Sequence, residues 1–225
     1  MDGPYRFAHG GVAKQHCRKP GARLGSSGEK LLKLALKLVA VVIVALIIGA
    51  GSALLFIRGA GLGGDVAVGP WQTSLVIGSS QADPYTRAQI AVAGLLALNR
   101  AETVYFTASH DDAGDKLRSD CTYKMAGSDP PARWWSVTLY GADHYLVPNP
   151  LDRYSYGGDT VAREADGSFV IVVGPEETNG NWIPTGGRTG DTFSLTLRLY
   201  NPEPEAARDP SGVVLPHIAK EACRT

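Results

Sequence analysis

Cysteine is scarce in this 225-residue chain, three in all, and methionine scarcer at two. So few cysteines exclude a disulfide-dense secreted scaffold, and without C-x-x-C there is no thioredoxin-like redox motif. Neither G-x-S-x-G nor H-E-x-x-H occurs, so the hydrolase elbow and the zinc-protease helix are both missing. Net charge is lacking too, with 22 Lys/Arg against 22 Asp/Glu. What the chain does have is an ordinary apolar content, 44%, with 27 glycines and 14 prolines. That excludes a disordered or collagen-like chain and leaves enough residues for one cored domain and an additional segment.

The zero net charge hides two opposite parts. Residues 1–37 carry eight Lys/Arg against Asp2 and Glu29, a net +6, whereas residues 59–225 carry 13 against 20, a net −7. A −7 domain argues against nucleic acid as a partner of the folded part. Between them, Leu38–Ile57 runs LVAVVIVALIIGAGSALLFI without a charge. Twenty residues at about 1.5 Å each match the roughly 30 Å of a bilayer core. Lys30, Lys33 and Lys37 can snorkel toward headgroups. A cleaved signal peptide would need a shorter basic region, a shorter apolar core and a small-residue exit, where Phe56, Ile57 and Arg58 stand instead. The expectation is an uncleaved signal-anchor of the inner (plasma) membrane, with the basic side in the cytoplasm and the rest exported to the periplasm.

Composition then divides the chain into a disordered basic tail (1–30), a transmembrane helix (31–58), a Gly-rich linker (59–69) and an exported domain (70–225). The linker contains G-x-G-x-x-G at Gly59, Gly61 and Gly64, but no strand precedes it, so a dinucleotide site is rejected. Gly25–Lys30 likewise lacks the spacing of a phosphate loop. Asp83-Pro84 is a helix start, and the apolar stripe Ala88, Ala91, Val92, Leu95, Leu96 and Leu98 predicts a helix to about Asn99. From there the period becomes two. Strands are expected at Thr103–Ser109, Ser119–Ala126, Arg133–Tyr140 and Phe193–Tyr200, with a hairpin of Thr160–Ala165 and Phe169–Val173 across Asp166-Gly167. One helix followed by at least six strands implies a mainly β (α+β) fold, an antiparallel jelly-roll-like β-sandwich with one packed helix.

Alternation assigns the faces. Trp135, Val137 and Leu139, then Phe193, Leu195, Leu197 and Leu199, then Cys121, Tyr123 and Met125 read as core. The opposite faces, Trp134, Ser136, Thr138, Tyr140 and Ser194, Thr196, Arg198, Tyr200, are amphipathic.

The segment WWSVTLYGADHYLVPNPLDRYS (Trp134–Ser155), then NWIPTG, then FSLTLRLYNPEP (Phe193–Pro204) resembles the bacterial domain-of-unknown-function 1214 family. The shared motifs are W-x-V/I-T-x-Y, P-N-x-x-x-R-Y, N-W-L/I-P and L-R-L-Y-x-P, over roughly residues 70–225. The resemblance implies a mainly β domain that longer members pair with a companion domain, 1254. It implies no catalytic residues, and no cofactor is expected. Here the membrane segment stands where the companion would, so a separate companion protein or a second copy of the chain is the expected partner.

Cys121 and Cys223 both fall in the exported part and are expected to form a structural disulfide tethering the tail; the alternative is two buried thiols. Cys17 lies on the other side of the span. His110, Asp111, Asp112 and Asp115 read as a polar turn rather than a metal site, because no calcium-loop frame or second His accompanies them. Asp143-His144 reads as loop hydrogen bonding rather than an acid/base pair. Two stiff loops remain, Pro148–Tyr154 and Asn179–Pro184. They are either plain loop architecture, or they bring Arg153, Tyr154 and Trp182 to one groove with Trp134, Tyr140, Arg198 and Tyr200. Arg among aromatics suits an anionic or sugar-like ligand, or a protein hot spot. The leading function is a membrane-anchored envelope binding module without chemistry of its own. The alternative is an envelope enzyme on a carbohydrate-like substrate, using a carboxylate such as Asp143 or Asp152.

Overall fold

A computed structural model describes residues 26–59, 65–79, 81–92 and 98–224. Residues 1–25 of the expected tail (1–30), Cys17 and linker residues 60–64 lie outside the described residues, and residues 26–30 begin the first helix instead. The chain divides into two units, Met1–Gly51 and Ser52–Thr225.

Helix α1 spans Ser26–Gly59, 34 residues. Lys33 donates to Glu29 one turn earlier at 2.8 Å. From Leu31 to Phe56 its large apolar side chains are exposed. By length and composition it can cross a membrane.

The second unit contains, in chain order, β1 (Val66–Val68), β2 (Trp71–Thr73), α2 (Pro84–Val92), β3 (Thr103–Ala108), β4 (Cys121–Gly127) and β5 (Ala132–Gly141). There follow β6 (Ser155–Gly157), β7 (Phe169–Gly174), β8 (Asn181–Pro184), β9 (Phe193–Pro202), α3 (Pro204–Arg208) and β10 (His217–Cys223). One sheet has the order β1-β2-β3-β9-β5-β6, the other β10-β4-β7-β8. All pairs are antiparallel except β7–β8, which is parallel.

The predicted core faces meet between these sheets. Trp135, Val137, Leu139, Leu195, Leu197, Leu199, Cys121, Tyr123 and Met125 are all buried in one cluster. Trp135 stacks on Phe169 at 4.8 Å, and Tyr123 meets Phe193 edge-on at 5.8 Å. Each pair links one sheet to the other and contributes about 0.5–1.5 kcal/mol beyond its area. Trp71, fully buried, donates its indole N–H to the Pro216 carbonyl and closes the sandwich at β2. Ala206 of α3 joins the same core.

Asp83 caps α2, accepting from the Tyr85 and Thr86 amides at 2.8 and 3.2 Å. The Thr86 hydrogen bonds hold its carboxyl below the usual range. The expected helix is present over Pro84–Val92, and the part of it over residues 93–97 lies outside the described residues. The Asn99 carbonyl accepts the Glu102 and Thr103 amides to start β3. Among the described residues no side chain of α2 is buried, and α3 is the helix that reaches the core.

The hairpin at Asp166-Gly167 is half right. The turn forms, with Gly167 at φ +85° and the Glu164 amide donating to the Ser168 carbonyl at 2.8 Å. The second leg is β7, but Thr160–Ala165 is not a strand. The place of the missing leg is taken by β8, whose buried Asn181 bonds to Ala162. The tail is also a strand: β10 pairs with β4, and the Cys121–Cys223 disulfide joins directly opposed residues 102 apart in sequence.

Candidate binding face on the six-stranded sheet

Strands β3, β9 and β5 are neighbours, so their alternate residues build one outward face. Across it run the rows Thr103–Tyr200–Trp134, Tyr105–Arg198–Ser136 and Thr107–Thr196–Thr138, with Ser194 beside Tyr140. Four of the seven predicted residues, Trp134, Tyr140, Arg198 and Tyr200, are therefore brought together. Trp134 and Tyr200 touch with ring centroids 5.0 Å apart. Trp134 keeps 37% of its surface exposed, whereas Ser136 and Thr196 are buried between their larger neighbours.

Arg198 lies at the centre. Its guanidinium donates to the Tyr140 hydroxyl at 2.9 Å and the Thr138 hydroxyl at 3.3 Å. It also sits 5.5 Å from the Tyr140 ring centroid and 6.0 Å from that of Tyr105. Hydroxyls and ring faces thus hold the guanidinium in place. Tyr105 is the residue that the sequence reading missed. Alternation along β3 carried the signal, since Tyr105 lies between buried Val104 and Phe106.

Arg153 reaches the same face from the loop before β6, two residues ahead of Ser155, which pairs with Thr138. The Pro148-Asn149-Pro150 loop holds it firmly. Asn149 accepts the Arg153 amide at 3.0 Å and donates to its carbonyl at 3.0 Å, while also bonding Val147 and Leu151. Arg153, Trp134, Ser136, Ser155, Asp159 and Thr160 line a cleft of about 620 Å³.

Two predicted residues are not part of it. Trp182 is buried on β8 in the other sheet, its indole donating to the Gly174 carbonyl at 3.0 Å. Tyr154 donates to Asp152 at 2.9 Å, and that hydrogen bond pushes its phenol pKa up. The candidate carboxylates are likewise occupied: Asp152 by Tyr154, and Asp143 by the Tyr145 amide at 3.1 Å. His144 adopts φ +66° in that turn, its amide donating to the Gly141 carbonyl.

The acidic turn is structural. Buried Asp111 accepts the Ala113 and Asp115 amides, and Asp112 exchanges backbone and side-chain bonds with Ile218 of β10. Lys220 bridges to Asp115, raising its own pKa and lowering that of the acid. Among the described residues no three His, Cys, Asp or Glu stand where they could hold one metal ion.

Residues 102–204 match the family model described as "Protein of unknown function (DUF1214)". Over this region the chain is similar to that family. The matched stretch covers β3 to β9 and hence the whole face. A crystal structure of the VPA0106 protein from Vibrio parahaemolyticus is similar over 63% of this chain, at 26% identity and a TM-score of 0.51. An uncharacterized protein from Burkholderia cenocepacia aligns over 55% at 16% identity and a TM-score of 0.34. The chain spans about a third of the length of each, 36% and 31%. No protein of curated function matches.

Proposed function

We propose that this DUF1214 chain is a single-pass, membrane-anchored module of the cell envelope, its N-terminus cytoplasmic and its sandwich periplasmic, which binds a ligand or partner without chemistry of its own. The anchoring rests on α1 and on the +6 charge that precedes the span. The observation that carries the binding reading is the outward face of β3, β9 and β5. A solvated face rarely presents Tyr105, Tyr140, Tyr200 and Trp134 together, and a buried one rarely carries so many hydroxyls and a guanidinium. A half-covered binding surface accounts for both. Arg with Tyr and Trp is also the composition of binding hot spots.

The partner implied by the family is a companion 1254-type protein or a second copy of this chain. The much greater length of the Vibrio relative supports the first, because extra polypeptide accompanies the similar region in that molecule. The test is photo-crosslinking in cells with Tyr200→p-benzoylphenylalanine in the full chain. A discrete adduct is expected from position 200 and none from Lys124→p-benzoylphenylalanine on the other sheet. Equal labelling at both, or none at 200, removes the face as a binding surface.

A further inference from the structure

The cleft at the β5–β6 margin is more specific than the face it borders. Arg153 is half-buried there, yet its guanidinium has no hydrogen-bond or ion-pair partner among the described residues. Arg198, Arg163, Arg118 and Arg224, by contrast, are each engaged. Its backbone is fixed on both sides by Asn149, so the side chain starts from a rigid base.

Trp134, beside it, is held equally well. Asp159 accepts its indole N–H at 2.9 Å, and a Cβ at Gly157 would lie 2.7 Å from its Cζ2. The missing side chain at Gly157 is what lets the indole rest against β6. With the N–H already satisfied, the ring offers an apolar surface and no donor. Asp159 spends one oxygen on that bond and keeps the other, and the Ser155 and Ser136 hydroxyls line the same cleft.

We infer that this cleft binds a saccharide carrying an acidic group, an inference that rests on the binding-face reading above. A pyranose ring has an apolar C–H surface for the indole and hydroxyls for a carboxylate and serines to bind. Its anionic substituent meets the guanidinium, whose planar fork pairs two oxygens at once. The cleft size falls within the range of small-ligand sites. An aliphatic ligand would leave Arg153 and Asp159 unpaired, and a bare anion would leave the indole unused.

The test is calorimetry on the full chain in detergent micelles, with tetragalacturonate as probe and its methyl ester as the uncharged control. Tetragalacturonate should bind at least about tenfold more tightly than the ester. Arg153→Ala should reduce it to the ester's level without moving the thermal melt, and Trp134→Ala should weaken both probes. Where Arg153→Ala melts early, Arg153→Lys keeps the charge and stem, and it should still lose affinity for want of the two-oxygen fork.

Equal binding of acid and ester, no binding of either, or binding unaffected at Arg153 overturns the proposal. So does a tetraglutamate peptide or inorganic phosphate that displaces the sugar at equal concentration. Failure here with a Tyr200-position adduct in cells removes the acidic sugar and leaves the binding face standing. Failure of both removes the face itself.

Discussion

The side chain of Asn181 pairs with both the N–H and the C=O of Ala162, as a neighbouring strand would. The distances are 2.7 and 2.8 Å, and the same amide also donates to the Val170 carbonyl at 2.9 Å. Asn181→Leu would leave three part-buried backbone groups without this partner, costing about 1–3 kcal/mol. Urea unfolding of the full chain in detergent should show this as a lower midpoint. An unchanged midpoint would mean that water replaces the amide there.

The disulfide closes a loop of about a hundred residues, for which chain entropy gives up to roughly 4–5 kcal/mol and engineered examples give less. Non-reducing peptide maps of protein purified without reductant should show Cys121 linked to Cys223. Cys223→Ser should lower stability by about 2–4 kcal/mol while Trp135 and Phe169 stay packed. Full alkylation of both thiols without reductant would contradict the link.

Gly157→Ala bears on the cleft. The new methyl would collide with the Trp134 ring, which is half-exposed and would give up its Asp159 bond to swing outward. The expected result is a red-shifted tryptophan emission with a loss of only about 0.5–2 kcal/mol. A large collapse in stability with no spectral change would place the strain in the backbone of β6.

Asp120 supplies a pH dependence. Arg118 bonds it through two nitrogens at 3.0 and 2.6 Å, and that pairing holds its carboxyl below the ordinary value near 4. A lowered folded pKa means stability that is fully present above the unfolded value and lost as pH falls through the folded one. Asp120→Asn should therefore flatten the acid limb of the stability curve below about pH 4. A parallel limb in the variant would assign acid sensitivity to other carboxylates.

Orientation is tested by fusion. Alkaline phosphatase joined after Thr225 should be active, and joined after Lys30 inactive. The reverse pattern would invert the topology, and a shortened soluble product would mean cleavage.

The sequence made the core easy to read, because period-two alternation survives wherever a strand has one wet and one dry side, as at Trp134/Trp135 and Arg198/Leu199. It could not reveal β8, since Asn181–Pro184 is buried at all four positions and so shows no alternation. It overstated Thr160–Ala165, because a strand partner there is replaced by one side chain from nineteen residues away. For β10 only Ile218 is buried, too little pattern to separate a strand from a tail. At the site, Trp182 looked like Trp134 in sequence. Only the parallel β7–β8 pairing decides that its ring is covered and its N–H consumed by Gly174.

The Cys121–Cys223 link has one more effect, on what a protease can do. It encloses every strand from β4 through β10 within a single covalent ring. One cut anywhere in an exposed loop between them, such as that around Tyr145, opens the ring without releasing a fragment. The nicked protein would keep its downstream half attached to the same molecule, and hence to helix α1. It would run at full length on a gel until a thiol is added, and only then separate into two bands.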